Sequence, residues 1–300
     1  MPIQVANAPV SWGVMEAVDF PPEFPAERVL DEIAGAGFAG TELGPFGFLP
    51  TNPDALRAAL ASRRLTLCSA FVAFPLGKRA ARAEGLMHVD RTAALIRQVG
   101  SGLLILSDEV SGERSAIAGN AEEANRRSWT EEEWKEAKES IEQVIGRCQP
   151  QGLKVAFHHH VGTHVETPQE MRRLFSLFPP DALGLCLDTG HCVYGGGDPL
   201  EMTKQYGDRL LCLHLKDVHA EQLNKARAAH LDFHGAVRHG VFAPLGEGTV
   251  NLGGLLSFLR DFGFDGWVVV EQDVLAGGQD AHSPWANAVA SRQTLRRLGY

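Results

Sequence analysis

The stretch Leu183-Gly184-Leu185-Cys186-Leu187-Asp188-Thr189-Gly190-His191 is almost wholly apolar until it stops at an aspartate. A strand with one wet face alternates apolar and polar residues, whereas a strand covered on both faces is hydrophobic throughout. This run therefore has the pattern of a parallel strand buried between layers, and Asp188 marks the end where the chain leaves it. The pattern recurs on both sides. Eight runs carry it: Ile3 to Ala8, Gly40 to Leu43, Leu65 to Phe71, Leu103 to Leu106, Leu153 to His158, Leu183 to Leu187, Leu210 to Leu215 and Trp267 to Glu271.

Helical patterns lie between them: Ala26 to Ala36, Pro53 to Ser62, Leu86 to Val99, Thr130 to Cys148, Thr167 to Leu177, Asp198 to Tyr206 and Leu252 to Phe262, with a last helix over Ser283 to Leu298. Thr130 before a run of glutamates, Thr167-Pro168 and Asp198-Pro199 are helix starts, and Gly37, Gly100 and Gly263 are helix stops. Strands alternating with helices mean parallel strands joined by crossovers. Eight such units in 300 residues predict an α/β fold, a (β/α)₈ TIM barrel, as a single domain over residues 1–300. Glu109 to Ser128 and Val218 to Val241 break the repeat. Both follow strands, so both are expected as loop insertions on the C-terminal face, where barrel enzymes keep their sites.

A formal net charge of −9 disfavours nucleic acid, whose binding needs Lys and Arg to displace counterions, and leaves a small molecule as the expected partner. No apolar run approaches the ~18 residues of a membrane span and no targeting segment opens the chain, so a soluble, cytoplasmic protein is expected. The five cysteines are odd in number, widely spaced and without a CxxC pair, which predicts reduced thiols rather than disulfides or a cysteine-type zinc site. Whether the chain forms a homo-oligomer is left open.

Charged side chains are costly in a strand buried on both faces, yet four later strands end in them. Strand five ends in His158-His159-His160, strand six in Asp188, strand seven in His214-Leu215-Lys216 and strand eight in Glu271. Each alone has an ordinary explanation: a hydrogen-bonded histidine, a helix cap, an ion pair. Four neighbouring strands delivering imidazole and carboxylate to one rim predict a shared divalent metal, Mn²⁺ or Co²⁺ before Zn²⁺, Fe²⁺ or Mg²⁺. Alternation puts His158 and His160 on one side and His159 on the other, and does not choose the ligand between the first two.

Glu42, ending strand two, is expected as an acid that touches substrate or backs the site, or as part of a salt bridge at the barrel mouth. Lys216 repeats the parity of His214 and could steady a developing enolate, or pair with Asp217 or Glu247. Trp12 could wall a sugar ring, or simply pack. Gly195-Gly196-Gly197 and Gly246-Glu247-Gly248 lack phosphate-loop spacing and are expected as tight turns.

Six stretches carry a resemblance: GTELGPFGFLP (Gly40 to Pro50), HHHVGTHVET (His158 to Thr167), LCLDTGHCVYGGGDP (Leu185 to Pro199), HLKD (His214 to Asp217), PLGEGTVNL (Pro244 to Leu252) and VVVEQD (Val268 to Asp273). They span nearly the whole chain in order. On them the sequence is similar to the xylose-isomerase-like TIM-barrel family (the sugar phosphate isomerase/epimerase superfamily), and within it to the inosose dehydratases. The resemblance implies a metal set from strands five to eight in which Asp188, His214 and Glu271 match, while His158 stands where isomerases and epimerases carry glutamate. Glu166 is a poorer match for that glutamate.

The activity implied is a metal-dependent dehydratase acting on a cyclic polyhydroxy ketone, 2-keto-myo-inositol (inosose), through an enediolate. The implied catalytic residues are Glu42, Lys216, His191 and Glu271, with Trp12, His160, His191 and Lys216 binding substrate. The alternatives are a keto-sugar isomerase or 3-epimerase sharing the first proton transfer, and a non-enzymatic sugar-sensing barrel.

Overall fold

Eight parallel strands close on themselves into a barrel, each beside its neighbour in the chain, with the last strand closing against the first. The computed structural model describes residues 3–15, 22–275 and 283–300. The barrel strands are β1 (Gln4–Asn7), β2 (Gly40–Glu42), β3 (Thr66–Phe74), β4 (Leu103–Asp108), β5 (Lys154–His158), β6 (Gly184–Asp188), β7 (Leu210–Leu215) and β10 (Trp267–Val270). The short pair β8 (Asp217–Val218) and β9 (Phe242–Ala243) lies outside the barrel. The helices are α1 (Ala26–Ala36), α2 (Pro53–Ala61), α3 (Arg82–Val99), α4 (Gly112–Ser115), α5 (Ala121–Arg126), α6 (Glu131–Cys148), α7 (Pro168–Ser176), α8 (Thr189–Tyr194), α9 (Pro199–Tyr206), α10 (Ala220–Ala228), α11 (Phe233–Arg238), α12 (Leu252–Phe262) and α13 (Pro284–Arg297).

All eight expected strands form, and most differences are at their ends. β3 runs on to Phe74 because β4 runs alongside it, pairing Ala73 with Ser107 and Phe74 with Asp108. The two insertions are more ordered than their polar composition predicts. Ser111, Asn120 and Asp232 cap the short helices α4, α5 and α11 with their side chains. Ala118 from the first insertion and Phe233, Val237 and Val241 from the second share a small apolar core with Val161, Tyr194 and Phe242.

Two further devices fasten these insertions. Arg114 is fully buried and pairs with Glu170 at 2.9 Å while donating to the carbonyls of Ala124 and Arg127. The Asp217 carboxylate accepts from the backbone N–H groups of Val218, Gly246, Gly248 and Val250 at 2.9 to 3.1 Å. The glycine-rich 246–248 segment thus forms an anion nest filled by the chain's own aspartate.

The strand side chains alternate between the helices and the barrel interior. The interior layer includes Ala6, Cys68, Ala156, Cys186, Cys212 and Val269, smaller than the branched residues usual there. All five cysteines are free and buried. No helix among the described residues is long and apolar enough to cross a membrane.

Candidate active site

Parity along the strands builds the rim. Above the layer of Ala156, Cys186, Cys212 and Val269, the next inward positions are His158, Asp188, His214 and Glu271, and continuing the count reaches His160, Lys216 and Asp273. Strand register places Asp188 directly beside His214. All of these except the fully buried Asp188 line a cavity of about 730 Å³ at the carboxyl ends of the strands, within the range of small-molecule sites. Phe233 and His234 from the second insertion form part of its wall.

One donor atom each from His158, Asp188 and His214 lie within 4.8 Å of one another, as do those of Glu42, His214 and Glu271. His158 Nε2 is 3.6 Å from Asp188 Oδ2, and His214 Nδ1 is 3.3 Å from Glu271 Oε2. The two groups meet at His214. His214 Nδ1 is buried with no hydrogen-bond partner among the described residues, and Asp188 Oδ2 accepts no hydrogen bond although the Lys216 ammonium lies 3.2 Å away. Buried polar atoms are seldom left so, and a divalent cation that accepts both imidazole nitrogen and carboxylate oxygen would satisfy them. His158, Asp188, His214 and Glu271 therefore fit a metal by position and chemistry. His160 instead groups with His191 and Asp273.

Lys216 stands at the junction of the two halves. Its Nζ lies 3.2 Å from Asp188 Oδ2, 3.2 Å from Glu271 Oε2, 2.7 Å from Asp273 Oδ1 and 3.2 Å from His191 Nε2. The expected alternatives for it, Asp217 and Glu247, are not its partners. Burial disfavours its charge, but Asp188, Asp273 and Glu271 outweigh burial and hold the ammonium well protonated. Burial would likewise raise Glu271, yet His214 and Lys216 bring it down to about 2.

The histidines on the other side are neutral. Burial, with His158 and Lys216 adding to it, lowers His160 to about 3. Burial and His160 push His191 well below its usual value. The Val161 N–H faces His191 Nδ1 at 3.4 Å, while Nε2 lies between the Lys216 ammonium at 3.2 Å and Asp273 Oδ2 at 3.7 Å.

Asp273 escaped the sequence reading, although it repeats the parity of Glu271 and ends the quoted VVVEQD. It is buried, lines the cavity, and its Oδ2 has no hydrogen-bond partner among the described residues. Burial raises it to about 6 against the pull of Lys216. Trp12 requires a correction: it is 1% exposed in the core, donates from Nε1 to Glu32 at 2.6 Å and does not line the cavity. The short helical turn Pro9–Trp12 carries the indole away from the rim. Glu166 is also outside the cavity, accepting from Gly119 N and Gly162 N.

Fold and rim together define a (β/α)₈-barrel enzyme whose ionisable cluster sits at the carboxyl ends of its later strands. The chain belongs to the xylose isomerase-like TIM barrel family, which matches residues 30–297. It is 31% identical to the inosose dehydratase of Geobacillus kaustophilus (strain HTA426) over 301 residues, 99% of this chain and 95% of that protein. It is 33% identical to the rhizopine catabolism protein MocC of Rhizobium meliloti, over 99% of this chain and 89% of that protein. A structure of IOLI protein with a binding zinc atom shares the fold, with a TM-score of 0.71 at 16% identity over 99% of this chain and 98% of that one.

Proposed function

We propose that this chain is a hydro-lyase that removes water from a cyclic polyhydroxy ketone, with 2-keto-myo-inositol as substrate. The observation that carries the proposal is the inward-facing series His158, Asp188, His214, Glu271, Lys216 and Asp273, in a chain alike over nearly its full length to proteins named inosose dehydratase. The same relatives favour one barrel domain. The buried free thiols suit the reducing cytoplasm.

His158, Asp188, His214 and Glu271 would hold a divalent ion, and their mixed nitrogen and oxygen donors favour Mn²⁺ or Co²⁺. When bound, the ion supplies Lewis-acid polarisation of the ketone oxygen and lowers the barrier to enolate formation. Lys216 places a fixed positive charge beside the oxygen on which negative charge develops. A rim carboxylate takes the proton from the carbon next to the ketone; Glu271 and Asp273 line the cavity beside Lys216. His191 relays a proton to the departing hydroxyl, and His160 contacts the ring. Phe233 and Phe242 cover this side and limit water.

The epimerase alternative needs a second carboxylate facing the first across the ring. His158 at the end of β5 does not provide one. The deciding experiment incubates metal-reconstituted protein with inosose and follows product by ultraviolet absorbance and mass spectrometry. A product lighter by one water with a new dione absorbance is expected. An isomer of unchanged mass would establish epimerisation instead, and tight binding without turnover would point to a sensor.

A further inference from the structure

His214 is held from both edges of its ring. Its Nδ1 faces Glu271, while its Nε2 lies 3.0 Å from Glu42 Oε1, contributed by β2 across the barrel mouth. The same Glu42 oxygen accepts from Ser69 Oγ at 2.6 Å. Glu42 is 3% exposed and Ser69 is fully buried, so water does not compete for these bonds. A register shift between Thr41 and Glu42 sets Glu42 opposite Ser69. Bulges of this kind re-aim a side chain next to a functional site.

We propose that Glu42 is a positioning residue: the Ser69-Glu42 pair accepts the Nε2 proton of His214 and thereby leaves Nδ1 as the bare nitrogen directed at the cation site. An imidazole that binds a cation through one nitrogen commonly donates its other N–H to a carboxylate, which fixes the tautomer, orients the ring and raises the basicity of the binding nitrogen. Glu42 meets that requirement from a strand that contributes none of the four proposed ligands. With one oxygen already engaged by two donors, it is poorly free to swing toward a substrate carbon. The inference rests on the proposal that His214 binds a divalent ion, and deepens it by assigning the nitrogen that binds and the residue that selects it.

The test is Mn²⁺ affinity of the purified full chain by equilibrium dialysis, for wild type and the H214A, E42A, E42Q and S69A variants, with circular dichroism melts as the check on folding. H214A should lose the site. E42A should bind roughly 10- to 100-fold more weakly, the usual cost of removing such a partner. E42Q keeps an acceptor oxygen and should recover part of that loss, while S69A should weaken binding less than E42A. Turnover of E42A should return to within about tenfold of wild type when Mn²⁺ is saturating, whereas loss of a proton-abstracting base would leave turnover about 10² to 10⁴ lower at any Mn²⁺ concentration.

If wild type and H214A bind Mn²⁺ alike, or neither binds, the assignment of His214 as a ligand falls and this inference with it. If H214A loses the ion but a folded E42A keeps wild-type affinity, the positioning role alone is overturned. Should E42A fail to fold, E42Q and S69A carry the comparison, and wild-type affinity in both overturns the role.

Discussion

Gly190 lies against the stem of Lys216: a Cβ added to the glycine would come 2.7 Å from Lys216 Cγ and 2.9 Å from its Cβ. The glycine of the Asp-Thr-Gly-His stretch is thus a space reserved for the lysine, since its φ is not in the left-handed region and any residue could adopt its backbone. Gly190→Ala should displace Nζ from its carboxylates with little effect on the helix. Misplacing a catalytic group by about 1 Å can cost about 10²-fold, and a loss of that size in kcat is expected. Unchanged kcat in Gly190→Ala would remove Lys216 from the chemistry.

Lys216→Met leaves Asp188, Glu271 and Asp273 facing one another without their buried counter-charge. Breaking such an arrangement typically costs about 3–5 kcal/mol. The variant should melt well below wild type in chelator, and Mn²⁺ should raise its Tm by more than it raises that of wild type. For wild type, Mn²⁺ at a hundredfold over Kd should add about 2.7 kcal/mol of stability, and chelator should remove both that gain and turnover. Equal Tm values with and without Mn²⁺ for both proteins would contradict this account.

His159 faces away from the cavity, and its Nε2 accepts the Asp188 N–H. Burial first, and the nearby His158 second, lower its pKa from 6.5 to about 3. The unfolded chain takes up a proton near pH 6.5 that the folded chain refuses until far lower, so this group's contribution is intact above pH 6.5 and declines as pH falls toward 3. At pH 5 the loss amounts to about 2 kcal/mol. His159→Gln should be free of it, so urea denaturation at pH 7 and pH 5 should show wild type losing about 2 kcal/mol more than the variant. Parallel pH curves would show that His159 does not resist protonation.

Asp217 satisfies four backbone donors with one carboxylate. Asp217→Ala strands them beneath the second insertion, and a destabilisation of roughly 2–4 kcal/mol is expected in urea titration. Asp217→Asn keeps one acceptor oxygen and should fall between. A change below 0.5 kcal/mol in the alanine variant would show that water replaces the carboxylate without cost, since ordinary surface changes stay within about that range.

The barrel was legible because buried parallel strands leave long apolar runs, and the caps at Thr130, Thr167 and Asp198 announce their helices directly. The rim was legible for the same reason: an ionisable group ending an apolar run stands out, as Asp188 does. Asp273 did not stand out, because it lies beyond the last paired residue of β10, where parity still holds but hydrophobicity no longer marks it. The roles of Glu42 and Trp12 were open in the sequence for another reason. Each depends on what meets the side chain from far along the chain, Glu42 through His214, 172 positions away, and Trp12 through Glu32. The short helices of the insertions were missed because they close a local apolar cluster drawn from both segments, which no single window contains.

That shared cluster has a bearing on traffic. Because Ala118, Phe233 and Phe242 belong to one packed unit, with Arg114 and Asp217 bolting its two halves down, the roof over β5, β6 and β7 is poorly suited to act as a hinged flap. The cavity wall on the opposite side is formed by Pro45, Phe46 and the 63%-exposed Met87, with Phe46 held against α3 by the edge-on His88 ring and by Arg91 over its face. Discrimination between ring shapes then falls to fixed walls on both sides rather than to the motion of a cover.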